Sequence, residues 1–223
     1  MIVGLEQSPF LNVFPDERIR ETLKFMGRSP DERISRDIGR EICQRKGIRA
    51  MLSGSVANLG SQYVVTLEAT SASNGASLAQ QEVQAASKEQ VLNALGKATA
   101  SIRQKLGESL ASVQKFDKPL EEATTPSLEA LQAFTRGDAL HMVAREELAS
   151  VPYYKRAIEL DPNFALAYAR LGTVFANMGQ FEGSEHYLKQ AMDRRERAGE
   201  RERLYIEAHY YGASGQLQKE VAA

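Results

Sequence analysis

Apolar side chains change their spacing several times between residues 1 and 118; after Pro126 they keep a single, helical one. Phe10-Leu11-Asn12-Val13-Phe14 is a short apolar run closed by Pro15, and predicts a strand. Ile19, Leu23 and Met26 recur at i, i+4 and i+7, which predicts a helix from Asp16 to Met26. Ser29-Pro30-Asp31-Glu32 predicts the start of a second helix, with Ser29 as its cap, Pro30 in the first turn and two acids at the positive end of the dipole. Its stripe is Ile34, Ile38 and Ile42, and Gly47 ends it. From Ile48 the period falls to two: Ile48, Ala50 and Leu52, then Tyr63, Val65, Leu67 and Ala69, alternate with mostly polar neighbours across a turn at Asn58-Leu59-Gly60-Ser61. Asn74-Gly75 marks a further turn, followed by a weaker strand from Ala76 to Val83. Lys88 to Leu106 returns to helix, with Val91, Leu95, Ala98, Ile102 and Leu106 on one side. The expected order is strand, helix, helix, three strands, helix: an α/β domain over residues 1–118 with a mixed, partly antiparallel sheet and a helical connector from Gly107 to Lys118.

Residues 119–223 predict helices throughout, giving an α+β chain of two domains. Thr125 is the expected N-cap of the first, ahead of Pro126 and Glu129. Aligned on Pro162, the following segment carries Tyr168, Leu171, Gly172, Phe175, Gly179, Leu188 and Ala191. In this spacing the segment resembles a tetratricopeptide repeat, with Ser184 and Glu196 departing from the pattern where Ala and Pro are usual. Small Gly172 and Ala191 let two helices approach, and Tyr168, Leu171, Phe175 and Leu188 fill the seam between them. A weaker copy precedes it, through Ala133, Gly137, Leu140, Tyr154, Ala157 and Pro162, with about one extra residue in its loop and Pro152 in its second helix, which is expected to start late or kink. A third copy opens at Arg201 with Leu204, Tyr211 and Gly215. The three units span about 127–162, 163–198 and 201–223, the last of them truncated.

Charge and cysteine narrow the chemistry. Lys and Arg number 28 and Asp and Glu 29, a formal net charge of −1. Residues 1–118 hold 16 basic and 13 acidic side chains and the remainder 12 and 16, so neither part has the basic footprint that holds nucleic acid. No apolar run is long enough to insert in a membrane, and Met1 to Leu5 lacks the features of a signal peptide. Cys43, on a helix flank, reads as a small packed hydrophobe.

Beyond the repeats, the chain resembles a region of acidobacterial receptor-type serine/threonine protein kinases and related bacterial regulators, in which a TolB-like α/β domain precedes tetratricopeptide repeats. The likeness is carried by Leu5-Glu6-Gln7-Ser8-Pro9-Phe10-Leu11, Glu41-Ile42-Cys43-Gln44-Arg45, Gly54-Ser55-Val56-Ala57-Asn58-Leu59-Gly60-Ser61-Gln62-Tyr63, Leu106-Gly107-Glu108-Ser109-Leu110 and Ala123-Thr124-Thr125-Pro126-Ser127-Leu128-Glu129-Ala130-Leu131. It implies a sensory or scaffolding role and a first strand lying ahead of Leu5. It also implies an extracytoplasmic or periplasmic setting if the chain belongs to a receptor kinase, and a cytoplasmic one otherwise. The chain has no glycine-rich loop, His-Arg-Asp or Asp-Phe-Gly, so kinase activity does not carry over.

No set of side chains has catalytic spacing, and no catalytic residue, metal or cofactor is expected. His141, His186 and His209 sit in three separate helices without a second ligand at zinc spacing. Gly54 to Gly60 reads as a hairpin rather than a phosphate loop, and Asp193 to Arg203 as a solvated salt-laced turn. The repeat family instead uses the concave faces of its first helices. Transferred position by position, the resemblance implies a groove of Leu131, Phe134, Asp138, His141 and Met142, then Leu166, Ala169, Thr173, Ala176 and Asn177, then Glu202, Tyr205, His209, Gly212 and Ala213. That mixed, partly aromatic surface suits an extended peptide or helix from a protein partner. The Lys/Asn/Arg clamp for a C-terminal carboxylate is missing from it. The expected function is therefore a non-catalytic protein–protein interaction module. The alternative is a small-molecule sensor with its ligand in the α/β domain or interdomain cleft. An uncovered sheet edge and terminal repeat further predict a homodimer.

Overall fold

In the computed structural model, residues 2–30 and 32–215 are described. The chain divides into two compact units, Met1–Asp117 and Lys118–Ala223.

The N-terminal unit contains α1 (Ile2–Glu6), α2 (Asp16–Phe25), α3 (Arg36–Lys46), β1 (Ala50–Leu59), β2 (Gln62–Ser71), β3 (Ser77–Ala85), α4 (Val91–Lys105) and α5 (Leu110–Phe116). The sheet runs β1-β2-β3 and is antiparallel throughout, not mixed. Gly60, at φ 69°, makes the two-residue turn that lets β1 and β2 pair from Ala50↔Ser71 to Leu59↔Gln62. Val65, Leu67 and Ala69 alternate along β2 and are buried on the face that α4 covers with Ala94, Ala98 and Ile102.

Two expectations fail here. Phe10 to Phe14 forms no strand: the Ser8 hydroxyl accepts from the Phe10 and Leu11 amides, turning the chain, and Phe10 stays exposed. An apolar run without a neighbouring strand has no ladder to join. The second helix starts at Arg36 rather than near Ser29, because Ser35 caps it by accepting from the Ile38 amide. Ser29 accepts instead from the Glu32 amide in a turn, and Ile34 falls outside the helical stripe of Ile38 and Ile42. Cys43 is buried, and burial pushes its thiol up, away from the reactive thiolate.

The C-terminal unit is helical: α6 (Leu120–Ala123), α7 (Leu128–Asp138), a π-turn (Ala139–Ala144), α8 (Glu147–Leu160), α9 (Ala165–Asn177), α10 (Phe181–Asp193) and α11 (Glu200–Ala213). Successive helices pack as the hairpins α7/α8 and α9/α10, with α11 against α10 and α9. Ser127, not Thr125, caps α7; the Thr125 hydroxyl is buried and donates to Asp161 at 2.6 Å. α8 begins at Glu147 and runs through Pro152. The core joins Phe134, Tyr154, Phe164, Leu171 and Val174. A Cβ on Gly172 would meet Leu188 Cγ at 2.7 Å, the close approach this position exists to allow. The second helix of the third unit, beyond Gly215, lies outside the described residues.

Beyond Asp138 the chain continues from α7 into the π-turn over Ala139–Ala144, with i→i+5 bonding. The turn ends at Arg145, left-handed at φ 56°, where the Glu146 amide donates back to Leu140 at 3.0 Å.

Candidate functional site

Three first helices, α7, α9 and α11, contribute the expected groove positions, and a chain of polar contacts joins seven of them. The Tyr154 hydroxyl, on α8, donates to Asp138 Oδ1 at 2.6 Å and lies 3.2 Å from His141 Nδ1. With its proton given to Asp138, the phenol oxygen accepts from Nδ1–H, which leaves His141 Nε2 to accept from the Asn177 amide at 3.4 Å. Asn177 also donates to Glu147 Oε1 at 3.0 Å. Burial, helped by the Asp138 carboxylate, holds the Tyr154 hydroxyl far above its usual pKa, so it serves only as a hydrogen-bonding hub.

The second half of the chain turns on Arg170. Its guanidinium lies 4.4 Å from the Tyr205 ring centroid, its Nε 3.4 Å from Asp138 Oδ1, and its Nη1 3.9 Å from the Met142 sulfur. Tyr205 shares a hydrogen bond with Thr173 at 3.0 Å and stacks on His209 with 3.9 Å between centroids. Asp138, His141, Met142, Thr173, Asn177, Tyr205 and His209 are thus brought together.

The other expected groove residues are elsewhere. Phe134 is buried, 5.7 Å from the Tyr154 ring and 4.9 Å from that of Phe164, so it is core rather than groove. Leu166 and Ala169 are buried in the packing of α9, and Leu131 packs half-buried against the same core. Glu202 is buried as the N3 residue of α11, its carboxylate accepting from the Gly199 amide at 3.3 Å. His141 itself is only 4% exposed. Ala176 and Gly212 are half-buried and Ala213 exposed.

Arg170, Tyr154 and Glu147 are absent from the sequence-level groove. Arg170 had a legible signal, as the one charged residue in the apolar run of α9, ALAYARLGTVFAN. The packing positions sit in the hairpin seam: Leu171 and Leu188 are buried, Phe175 stacks on Tyr187 at 5.3 Å, and Tyr168 and Ala191 share a cluster with Ile206. Arg194 donates to the Pro162 carbonyl at 2.8 Å and lies over Tyr168, while Arg195 meets Glu207 at 3.3 Å, so these two arginines of the charged turn are engaged by the neighbouring helices. Among the described residues no group of three or more His, Cys, Asp and Glu could hold a metal ion, and no helix is long and apolar enough to cross a membrane.

Helical hairpins stacked with small residues at their crossings and a polar line along their first helices define a helical-repeat array. A family model described as a tetratricopeptide repeat matches residues 153–186, from α8 through α9 into α10. Such repeats generally mediate protein–protein interaction and are typically non-catalytic. No curated protein matches the chain.

Proposed function

We propose that the chain is a non-catalytic interaction module whose repeat array takes a peptide or protein segment along the surface of Asp138, Met142, Thr173, Asn177, Tyr205 and His209. The observation carrying this reading is the series of hydrogen-bond, ionic and cation–π contacts that links three successive first helices, with Met142 40% exposed beside it. A purely structural array has no need to hold hydrogen-bonding groups in register along one face. The resemblance to the TolB-like and repeat region of bacterial receptor kinases supports assigning the module to the sensory part of a signalling protein. The cleft in the N-terminal unit lined by Ile19, Arg20, Leu23, Pro30 and Ile34 is ≈ 90 Å³, and small-molecule sites generally need about 300 Å³ or more. A cleft of that size gives no support to a small-molecule site at this place.

The test is selection of peptides from a random displayed library on the intact chain, followed by calorimetry with variants. Tyr205→Ala and Met142→Ala are expected to weaken a selected peptide by about 1–3 kcal/mol. Failure to select any peptide, or affinities unchanged in both folded variants, contradicts the proposal. Self-association belongs to the same reading: among the described residues β1 pairs only with β2, carries no charged residue or proline, and exposes Val56 and Leu59. Light scattering at micromolar concentration is expected to report a mass above 24.7 kDa; a mass of 24.7 kDa alone would refute the dimer.

A further inference from the structure

We infer that β1 is a two-fold interface: it pairs antiparallel with the β1 of a second copy of this chain, in the register that sets Val56 opposite itself, and joins two three-stranded sheets into one. The inference rests on the self-association reading above and not on the repeat groove. The backbone shows which groups are available. The Ala72 amide donates to the Arg49 carbonyl at 3.0 Å, and the register Ala50↔Ser71 sets those two residues opposite each other. Hydrogen-bonded and non-hydrogen-bonded pairs alternate along an antiparallel ladder. The odd-numbered residues of β1 therefore aim their backbone groups at β2, and Gly54, Val56 and Asn58 aim theirs at the open edge.

The two edges of the sheet are managed differently. β3 carries Glu82, packs against α4, and has its Gln80 carbonyl taken by the Lys105 ammonium, so that edge is charged and engaged. In β1 every residue from Gly54 to Leu59 is exposed, and the strand carries neither a charge nor a proline to discourage pairing.

A second copy suits this edge better than a foreign strand does. An added foreign strand is selected through its side chains, and β1 offers it no charge and only small or short side chains beside Val56 and Leu59. Self-pairing needs no such selection. A charge-free strand sets no like charges opposite one another, and a net charge of −1 leaves little repulsion between copies. Centring the two-fold on Val56 pairs Gly54 with Asn58, so all three outward-facing residues gain partners. Val56, 54% exposed, lies opposite Val65 on the face that α4 covers, and the second copy's Val56 closes over it. The same patch is used on both copies, so the assembly closes at two.

Cysteine cross-linking of the intact chain reads the register directly. Directly opposed residues of a hydrogen-bonded pair lie about 5.5 Å apart, within disulfide reach, whereas residues two places along lie roughly 13 Å from their own copies. Val56→Cys is expected to form a disulfide-linked dimer on mild oxidation and Asn58→Cys to stay unlinked; the native Cys43 is buried and gives no background. In light scattering, Val56→Lys, shown to be folded by circular dichroism, is expected to fall to 24.7 kDa at a concentration where the wild type and Val56→Thr have near twice that mass. A wild type of 24.7 kDa alone overturns the inference together with self-association. A dimeric wild type whose Val56→Cys stays unlinked, or whose folded Val56→Lys stays dimeric, overturns the β1 interface and leaves self-association to another surface. Masses beyond a dimer contradict the two-fold. Peptide binding in the groove is read separately and is untouched by each of these results.

Discussion

Each unit of this chain packs an arginine among its helices, and the two arginines are treated in opposite ways. Arg103, in the N-terminal unit, has a side chain 0% exposed and spends its donors on Glu108 at 2.8 and 2.9 Å, Asp117 at 2.9 Å and the Gly4 carbonyl at 3.4 Å. Ser8 and Ser112 also donate to Glu108, so the carboxylate is satisfied in turn and the cluster ties α1, α4 and α5 into one body. Arg170, in the array, is 19% exposed, leaves Nε without a hydrogen bond, and shares Asp138 with Tyr154. A closed network of ions specifies a fold. An open one leaves capacity unused: the Arg170 Nε is buried without a hydrogen bond, beside the candidate groove residues Asp138, Met142 and Tyr205.

Breaking the closed network should cost most. Glu108→Gln leaves the buried Arg103 with Asp117 as its remaining carboxylate and is expected to destabilise the N-terminal unit by about 3 kcal/mol in urea unfolding. Replacing both partners, as Arg103→Met with Glu108→Leu, is expected to recover most of that loss, since the ions are then removed together. Asp138→Asn in the open network should cost only about 1–2 kcal/mol, because Tyr154 keeps an acceptor and Arg170 keeps Tyr205 and some water. Equal losses for Glu108→Gln and Asp138→Asn would erase the distinction between the two clusters.

Acid should reach the closed network late. The Arg103 hydrogen bonds, aided by Ser8 and Ser112 and opposed by burial, hold Glu108 at about 2 against its ordinary 4.5. Its contribution is therefore present above 4.5 and lost as pH falls through about 2. Circular dichroism and exchange followed down the pH scale should show α4 and α5 loosening only below 4.5; loosening above it contradicts the assignment. The smallest effect expected is Tyr205→Phe, which deletes the hydrogen bond to Thr173 and should lower stability by about 0.5–1.5 kcal/mol in thermal unfolding.

The array was legible in the sequence because close helix crossings demand small residues at fixed intervals, and Gly172 and Ala191 meet that demand whatever surrounds them. The β-hairpin was legible from its period of two. Capping was less so: Ser29 and Thr125 were the expected caps, and the hydrogen bonds formed in three dimensions select Ser35 and Ser127 instead. The groove was half legible. Position within a repeat tells where a backbone site lies, not whether its side chain faces solvent. Phe134 turns into the aromatic core with Tyr154 and Phe164, and His141, in the π-turn that follows α7, is buried beside Tyr154. Arg170, Tyr154 and Glu147 escaped because their importance lies in contacts between helices, which no single-helix pattern records.

The central claim, that the open network is a binding surface and the closed one a structural clamp, is tested most directly by the footprint of a selected peptide on the intact chain. Backbone amide protection should rise on peptide addition at 138–142, 170–177 and 205–209, and stay unchanged around Arg103, Glu108 and Asp117. Protection that appears in the N-terminal unit and leaves those three segments untouched would contradict it.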